Sequence, residues 1–426
     1  MFRAKLPLVA TFISAIFIAS LLPANAASIA GTSCTKFNST KTIGNIKFTC
    51  IKSGKKLIWN KGVVSINSNP EISKNPDGKS SGNIPSATSS SPSAEPQIPT
   101  IYPDSFSNLI SRSSQISYAA WKRISDQISA SSSTAIKAEI YVGPNTIPWN
   151  KNIQNLMDLT LKAIPNAEQS KSVVWILNNY QDLNWARNKL NAIISAEQLR
   201  IFNQNEGGDL FRSNCDPEIK NCLGSKELTT QDDIALVLVG VSNEAGTFYL
   251  NGTSYGNPGD EESKKTGQLL VHEYFHSFQR QVVFGKPIQD GDWPPEWVVE
   301  GSAVLMQNAV VNHNDFSKFM NWRKIAHGNR FYKDPIDYEF LMNFLDVSKH
   351  KSYYKEYDGD YIYYLGSRIM EALVAVGGPQ SMLDIWSQMA MHVGFAQAFQ
   401  NVYGISYEKA MPILAQAVSK NILVTK

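Results

Sequence analysis

The chain has 426 residues, of which 43% are hydrophobic and 11% aromatic, so it can bury one large core and carry a smaller second module. This composition excludes a wholly disordered chain. The formal net charge of +3 falls to +1 without Arg3 and Lys5, so the overall balance predicts neither a nucleic-acid partner nor an anionic membrane.

The amino terminus has the pattern of a secretion signal. Arg3 and Lys5 precede an apolar run at residues 6–22, and residues 24–26 form the Ala-Asn-Ala pattern that a signal peptidase needs. We therefore expect a signal peptide at residues 1–26 and a secreted or cell-surface protein. A retained membrane anchor is the alternative, because the apolar run is nearly long enough to span a bilayer.

A small module is predicted at residues 27–67. Residues 47–51 and 56–59 have the composition of two short strands joined by a turn, which predicts a β-hairpin. The segment FTCIKSGKKLIWNKG, from Phe48 to Gly62, resembles a small Cys-pair module appended to many secreted bacterial proteins. Two roles stay open for this module: association with the cell wall or surface, or a spacer.

Four cysteines fall into two local pairs, Cys34 with Cys50 and Cys215 with Cys222. Sequence proximity favours two local disulfides, which suits a compartment outside the cytoplasm. A bridge between Cys34 and Cys50 would contribute roughly 3 kcal/mol to so small a module. Zinc binding by the cysteines is disfavoured because neither pair has the two-residue spacing or the nearby histidines of a structural site.

Residues 68–101 are rich in Ser, Pro, Asn and Gly and predict a disordered linker. In the first half of the main domain, residues 102–426, helical patterns alternate with strand-like runs. Beyond about residue 261 nearly every apolar pattern is helical. The sequence therefore predicts an α+β fold, with a mixed sheet in the first half, a helical second half and the site in the cleft between them. The predicted helices of the first half are 105–129, 151–163 and 182–194, and the predicted strands are 135–142, 172–177 and 234–241.

The main chemical motif is H-E-x-x-H, formed by His272, Glu273 and His276 within a predicted helix at residues 264–283. Histidines four residues apart lie on one helix face, so both imidazoles can reach one tetrahedral zinc ion. Zinc with three protein ligands keeps a fourth position for water and lowers the pKa of that water to about 7. Glu273 is then the predicted general base, which afterwards protonates the leaving amine.

The third zinc ligand is not fixed by this motif. The metzincin pattern requires Gly and His where this chain has Gln279 and Val282, so that class is excluded. Asp290 and Asp292 lie in a Gly-containing stretch, where a solvated or capping role is favoured.

A second predicted helix after Pro294 and Pro295 offers Glu296 and Glu300 on one face. The small residues Gly301 and Ala303 beside Glu300 favour close approach of this helix to the zinc helix, which a carboxylate ligand requires. Glu296, at the helix start, is more simply a favourable charge on the helix dipole.

These motifs resemble the gluzincin branch of zinc peptidases, in which H-E-x-x-H is followed some twenty residues later by W-x-x-E-G-x-A. Here residues 297–303 read WVVEGSA, and the resemblance implies Glu300 as the third ligand of one zinc ion per chain. It covers only residues 269–306, extended by residues 361–370, which resemble the Y-x-x-G helix start of aminopeptidase-like domains. That register implies Tyr363 as a donor to the developing oxyanion, a task suited to a neutral phenol; packing is the alternative, since six tyrosines crowd this region.

One departure concerns specificity. The G-x-M-E-N segment that reads a free amino end in the aminopeptidase branch is absent from the sequence. Residues 245–252 precede the zinc helix, where a strand that pairs with extended peptide is expected, although an ordinary edge strand is the alternative.

The resulting prediction is a secreted zinc peptidase with His272, His276 and Glu300 as ligands, Glu273 as base and Tyr363 as oxyanion donor. Its partner is a peptide or protein substrate. The alternative is a metallopeptidase fold without activity, acting as a wall or surface binding protein through the Cys-pair module.

Overall fold

A computed structural model describes residues 32–36, 39–43, 46–53, 56–59, 63–64, 101–205, 208–212, 214–216, 220–222, 224–242, 248–250, 253–255, 265–287, 289, 293–327 and 335–424. The chain divides into two compact units, Met1–Ser91 and Pro92–Lys426. The predicted signal peptide at 1–26 and almost all of the predicted linker at 68–101 lie outside the described residues.

The first unit contains a small antiparallel sheet in which the second strand pairs with each of the other three. Phe48 and Cys50 alternate along that strand and are fully buried, which gives the sheet one apolar face. Cys34 and Cys50 form a disulfide, so the local pairing and the hairpin are both confirmed. The strands are β1 Thr40–Ile43, β2 Ile46–Ser53, β3 Lys56–Trp59 and β4 Val63–Val64.

The second unit contains a mixed sheet of four strands in the order β5-β6-β10-β9. Three strands are parallel, and β9 pairs antiparallel with β10 at the edge of this sheet. These strands are β5 Glu139–Val142, β6 Ser172–Asn178, β9 Ser225–Thr229 and β10 Ile234–Gly240. Two short hairpins are formed by β7 Cys215–Asp216 with β8 Asn221–Cys222, and by β11 Phe248–Leu250 with β12 Thr253–Tyr255.

Helices dominate the rest of the unit, as the sequence predicts, and a π turn at Tyr361–Leu365 leads into one of them. The predicted helix at 105–129 is in fact interrupted, because it consists of one turn and a longer helix. The helices are α1 Phe106–Leu109, α2 Ile116–Ala130, α3 Ile153–Ala163, α4 Leu183–Asn191, α5 Ala196–Asn205, α6 Gln268–Val283, α7 Glu296–Val311, α8 Phe316–His327, α9 Tyr338–Leu345, α10 Tyr353–Glu356, α11 Gly366–Gly377, α12 Ser381–Met389, α13 Phe395–Tyr403 and α14 Tyr407–Val424.

The two central strands, β6 and β10, are buried on both faces, which explains their continuous apolar runs. Alternate residues such as Trp175 and Val237 join the large core that contains α2, α3 and α6. The intervening residues, such as Ile176 and Leu236, pack with α4 and with partly buried side chains of α5. This arrangement places α6 directly against one face of the sheet, and α6 also contacts the edge strand β9.

The α+β class, the mixed sheet of the first half and the helical second half are therefore confirmed. The Cys215–Cys222 disulfide is also present, as predicted, and joins β7 to β8. Among the helices of the described residues, none is both long and apolar enough to span a bilayer.

Candidate metal centre

The paired histidines lie on α6, where the 3.6-residue period brings His272 and His276 onto one face. An adjacent face of α6, about 100° round the helix, is apolar and packs into the core shared with the sheet through side chains such as Val271 and Phe275, both fully buried. Burial of that face fixes the rotation of the helix, so the two imidazoles are held on the side away from the sheet core. His272 and Glu273 are themselves buried, at 6% and 8% exposure.

Glu300 comes from α7, which begins after Pro295 and packs along α6. His272, His276 and Glu300 each offer one ligand atom, and these atoms lie within 4.8 Å of one another. Among the described residues, these three side chains form the group that could hold a metal ion. Glu296 lies apart from it, because its Oε1 accepts a hydrogen bond from Ser352 Oγ at 3.1 Å.

The spacing of the three ligand atoms fits a small tetrahedral cation. Glu300 Oε2 lies 3.3 Å from His272 Nε2 and 3.4 Å from His276 Nε2, and the two Nε2 atoms are 3.1 Å apart. Ligand atoms bonded at ~2.0–2.1 Å to a tetrahedral zinc ion lie roughly 3.3–3.4 Å from each other. Hydrogen bonds between an imidazolium and a carboxylate are usually shorter, about 2.7–2.9 Å. Two imidazoles and one carboxylate are ligands that zinc accepts, and the two separations from Glu300 Oε2 are close to those of a tetrahedral site, whereas the separation between the two Nε2 atoms is shorter.

The orientation of His276 is set by Gln279, one turn further along α6. Gln279 Nε2 donates to the backbone oxygen of Val299 at 3.0 Å and to Ser302 Oγ at 2.8 Å, both on α7. The amide oxygen of Gln279 then faces His276 Nδ1 at 2.7 Å and accepts a hydrogen bond from it. Because Nδ1 carries this hydrogen, Nε2 is the atom that can bind a metal once His276 loses its second proton.

The orientation of Glu300 is set by Tyr354, which lies on the single turn α10. The Tyr354 hydroxyl donates to Glu300 Oε1 at 3.0 Å, which leaves Oε2 facing the two histidines. Sequence reasoning missed Tyr354 because it is one of six neighbouring tyrosines, and nothing in the local pattern distinguishes it from those that pack. Tyr353 and Tyr361, for comparison, are buried in the aromatic cluster.

Tyr363 lies beside the three ligands. Its ring stacks on that of His272, with centroids 6.0 Å apart and an interplanar angle of 13°, and its hydroxyl is within hydrogen-bonding reach of Tyr354. Burial and the negative charge of Glu300 raise the pKa of Tyr363 far above its ordinary value, so the phenol stays protonated at neutral pH. It is thus a neutral donor next to the site.

Two glycines explain how Tyr363 comes so close to the three potential metal ligands. A Cβ atom on Gly301 would lie 2.4 Å from the carbonyl carbon of Gly366, and one on Gly366 would lie 2.7 Å from the Trp297 oxygen. The role predicted for Gly301, close approach of α7 to the zinc helix, is therefore wrong. Gly301 instead allows α7 to contact the start of α11, immediately after the π turn that carries Tyr363.

Glu273 is held by a residue of the edge strand. Ser225 Oγ, at the start of β9, donates to Glu273 Oε1 at 2.7 Å. Two residues further along β9, the buried Glu227 pairs with Arg280 Nε at 2.7 Å. Sequence reasoning missed both contacts because Ser-Lys-Glu-Leu-Thr, the sequence of β9, lacks the apolar run of a typical strand.

The electrostatics of the metal-free site favour a charged pair. Burial alone would lower the pKa of His276, but the charge of Glu300 outweighs it and raises the pKa to about 9. Burial alone would raise the pKa of Glu300, but the charge of His276 and the contact with His272 hold that pKa well below its usual range. A cation at this position would replace the proton on His276 and would meet a carboxylate that is already ionised.

Two polar atoms of the site lack a hydrogen-bond partner among the described residues, and one of them is Glu300 Oε2, the oxygen that faces the two histidines. The other, His272 Nδ1, is buried and makes no hydrogen bond there. Its ring is instead fixed by the stacking contact with Tyr363.

Other sequence predictions fall partly or wholly outside the described residues. Asp290 and Asp292 are not described. Of residues 245–252, only 248–250 are described, and they form β11 of a small hairpin. The strand that reaches Glu273 is β9, which sequence analysis had not predicted.

Comparisons with protein-family models, with curated proteins and with solved structures found no match to this chain. The function of this chain is therefore inferred from the geometry of the site.

Proposed function

We propose that this protein is a zinc-dependent peptidase that uses an activated water molecule to hydrolyse peptide bonds. The single observation that carries the proposal is the convergence of His272, His276 and Glu300 at the separations of a tetrahedral zinc site, with Glu273 beside them. The same ligand set, two imidazoles and one carboxylate, is typical of catalytic zinc sites that leave a fourth position open.

The protein side chains divide the chemistry between them. A zinc ion bound by these ligands would make a water molecule more acidic and would polarise a substrate carbonyl group. Ser225 holds Glu273 Oε1, so we assign proton uptake to the other carboxylate oxygen, Oε2. Glu273 then delivers this proton to the leaving nitrogen, as a general acid.

Tyr363 is the proposed oxyanion donor. Its raised pKa keeps the hydroxyl protonated, and the ring is held against His272 at the edge of the ligand group. A neutral donor is favourable here because it interacts most strongly when negative charge develops on the substrate oxygen. In the substrate-free state the hydroxyl interacts with Tyr354, so donation to substrate requires the two hydroxyl groups to separate.

The arrangement supports the gluzincin resemblance and a zincin-like catalytic domain. α6 packs under a mixed sheet whose antiparallel edge strand, β9, lies beside the base. An edge strand can pair with an extended peptide through its backbone. We therefore propose β9, in place of residues 245–252, as the strand beside which an extended substrate binds. Secretion, which the two disulfides suit, is part of the same proposal.

The decisive experiment combines metal analysis with digestion of a mixed peptide library. We expect about one zinc ion per chain, cleavage that a chelator abolishes, and recovery of cleavage when zinc is restored. Glu273→Gln should keep the zinc and lose ~100- to 10,000-fold in turnover, because the amide cannot accept the proton.

Two outcomes would count against the proposal. Cleavage that survives Glu273→Gln would refute the assigned base. A chain that binds zinc but cleaves no peptide would favour the alternative, an inactive metallopeptidase fold that acts as a binding protein at the cell wall or surface.

A further inference from the structure

The nearly neutral net charge conceals a strong asymmetry along the chain. Residues 27–64 contain seven lysines and no Asp, Glu or Arg. With Arg3 and Lys5, the first 64 residues hold nine of the 40 basic residues and none of the 37 acidic ones, so residues 65–426 carry a formal charge of −6. The positive charge therefore belongs to the segment that contains the small sheet, and it points to a local partner that the total charge does not reveal.

Five of the seven lysines, Lys36, Lys41, Lys47, Lys52 and Lys56, lie in the described part of a folded, disulfide-linked scaffold. Cys34 is joined to the central strand β2 at Cys50, and backbone hydrogen bonds tie the segment before β1 to β3. Lys36, Lys41 and Lys56 are exposed in this scaffold. The other lysines of the segment are Lys47, Lys52, Lys55 and Lys61. No acidic residue within the segment can neutralise them.

The described part of this scaffold is not built to insert into a bilayer. Within residues 32–64, none of the large hydrophobic side chains that the structure describes is exposed, and Phe48 is fully buried. A membrane-inserting surface would instead present apolar side chains such as Trp, Phe or Leu beside its basic ones. The exposed lysines that the structure describes, Lys36, Lys41 and Lys56, are suited to a hydrated partner that binds through charge.

The use of lysine alone indicates the chemistry of the partner. Arginine forms planar, bidentate contacts that recognise particular carboxylates, phosphates or bases, whereas a lysine ammonium group is a point charge with three rotatable donors. Seven point charges within 38 residues favour a flexible polymer with closely spaced phosphate groups over a single small anion.

We propose that the N-terminal module binds a soluble linear polymer of phosphate groups, through Lys36, Lys41, Lys56 and the neighbouring lysines. The contact is electrostatic and tolerant of the exact polymer structure. It attaches the module to a phosphate-rich extracellular matrix or wall polymer independently of any reaction at the metal centre.

The experiment measures binding of the full chain to long-chain inorganic polyphosphate over a series of salt concentrations. The salt dependence should be steep, because each neutralised phosphate lowers the slope of log affinity against log salt by about 0.7. The variant Lys36→Gln/Lys41→Gln/Lys56→Gln should bind at least tenfold more weakly at low salt, with a slope reduced by about 2.

A matched control removes three exposed lysines of the second unit, by Lys137→Gln/Lys151→Gln/Lys420→Gln. This control changes the net charge equally and should leave polyphosphate binding unchanged. Equal weakening in both triple variants would overturn the proposal, because it would show an effect of total charge alone. The salt series on the unmodified chain is a second test that needs no variant, and a flat series would also overturn it.

Other ligands distinguish the sources of phosphate. Vesicles with phosphatidylglycerol present the same group on a membrane, and binding to them in preference to polyphosphate would refute the soluble polymer. Tighter binding to single-stranded DNA than to polyphosphate of equal charge would show base recognition and would also refute it. Salt-sensitive self-association of the chain without polymer binding would assign the lysines to a second copy instead.

Discussion

Removal of one hydroxyl group tests the metal centre without touching a proposed ligand. Tyr354→Phe deletes the hydrogen bond of 3.0 Å to Glu300 Oε1 and keeps the aromatic ring. Without this bond the carboxylate of Glu300 can rotate, so Oε2 is no longer fixed toward His272 and His276. We expect the variant to bind zinc more weakly and to fold normally.

The expected loss of zinc affinity depends on the solvent exposure of Tyr354 and Glu300. A hydrogen bond to a charged group contributes ~1.5–3 kcal/mol, and partners of metal ligands typically change affinity by about 10- to 100-fold. Glu300 is largely buried, with 13% of its side chain exposed, but Tyr354 is 51% exposed, so water replaces part of the lost contact. We therefore expect the lower end of that range, about a tenfold increase in the dissociation constant, or ~1.4 kcal/mol.

The assay is competition for zinc between the protein and a chromophoric chelator at fixed pH. Tyr338→Phe is the matched control, because Tyr338 is 43% exposed and opens α9, outside the ligand group. Thermal unfolding of the metal-free proteins checks that both variants keep the fold. A dissociation constant for Tyr354→Phe within twofold of the unmodified chain would refute the role assigned to this hydroxyl.

Three further predictions follow from the same geometry. Ser225→Ala should lower kcat about tenfold with KM and zinc content unchanged, because Glu273 loses the hydrogen bond that positions it. Ser225→Thr keeps a hydroxyl group and should restore most of the rate. A change in KM with kcat unaltered would contradict this role. In the metal-free protein the pKa of His276 is raised to about 9, so this side chain is protonated at pH 7 and must lose that proton when zinc binds. Chelator competition at pH 6, 7 and 8 should therefore show the zinc affinity rising by up to about tenfold per pH unit. A zinc affinity that stays constant over this pH range would show that zinc displaces no proton. Gly301→Ala should lower the free energy of unfolding, measured by denaturant titration, by ~1–3 kcal/mol, because the new Cβ atom would lie 2.4 Å from the backbone of Gly366. Gly359→Ala is the control and should leave this free energy unchanged, because there is open space around Gly359.

Sequence patterns predict those parts of the site in which the residues are close together along the chain. Histidines four residues apart share a helix face whatever the rest of the chain does, so placing His272 and His276 together needs only a helix. The strands β6 and β10 were likewise predictable, because burial on both faces demands a continuous apolar run. Glu300 was selected from its neighbours for a partly wrong reason, since Gly301 faces Gly366 rather than α6.

The parts that sequence reasoning missed depend on contacts between distant segments. Ser225 reaches Glu273 across 48 residues of sequence, and Tyr354 reaches Glu300 across 54. β9 carries polar side chains because one of them, Glu227, is neutralised by Arg280 after folding, and a pattern search cannot anticipate that compensation. Serine and tyrosine are also common surface residues, so their type alone indicates no role.

The double attachment of β9 to α6 has a consequence for the way this region opens. Ser225 contacts Glu273 and Glu227 contacts Arg280, so two bonds spaced along the strand join it to the helix at points about two turns apart. An edge strand normally frays first, with amide protons that exchange at low cost. Here fraying of β9 would also separate the buried Glu227 from Arg280 and release the base, so the strand and the helix should exchange with deuterium as one cooperative unit.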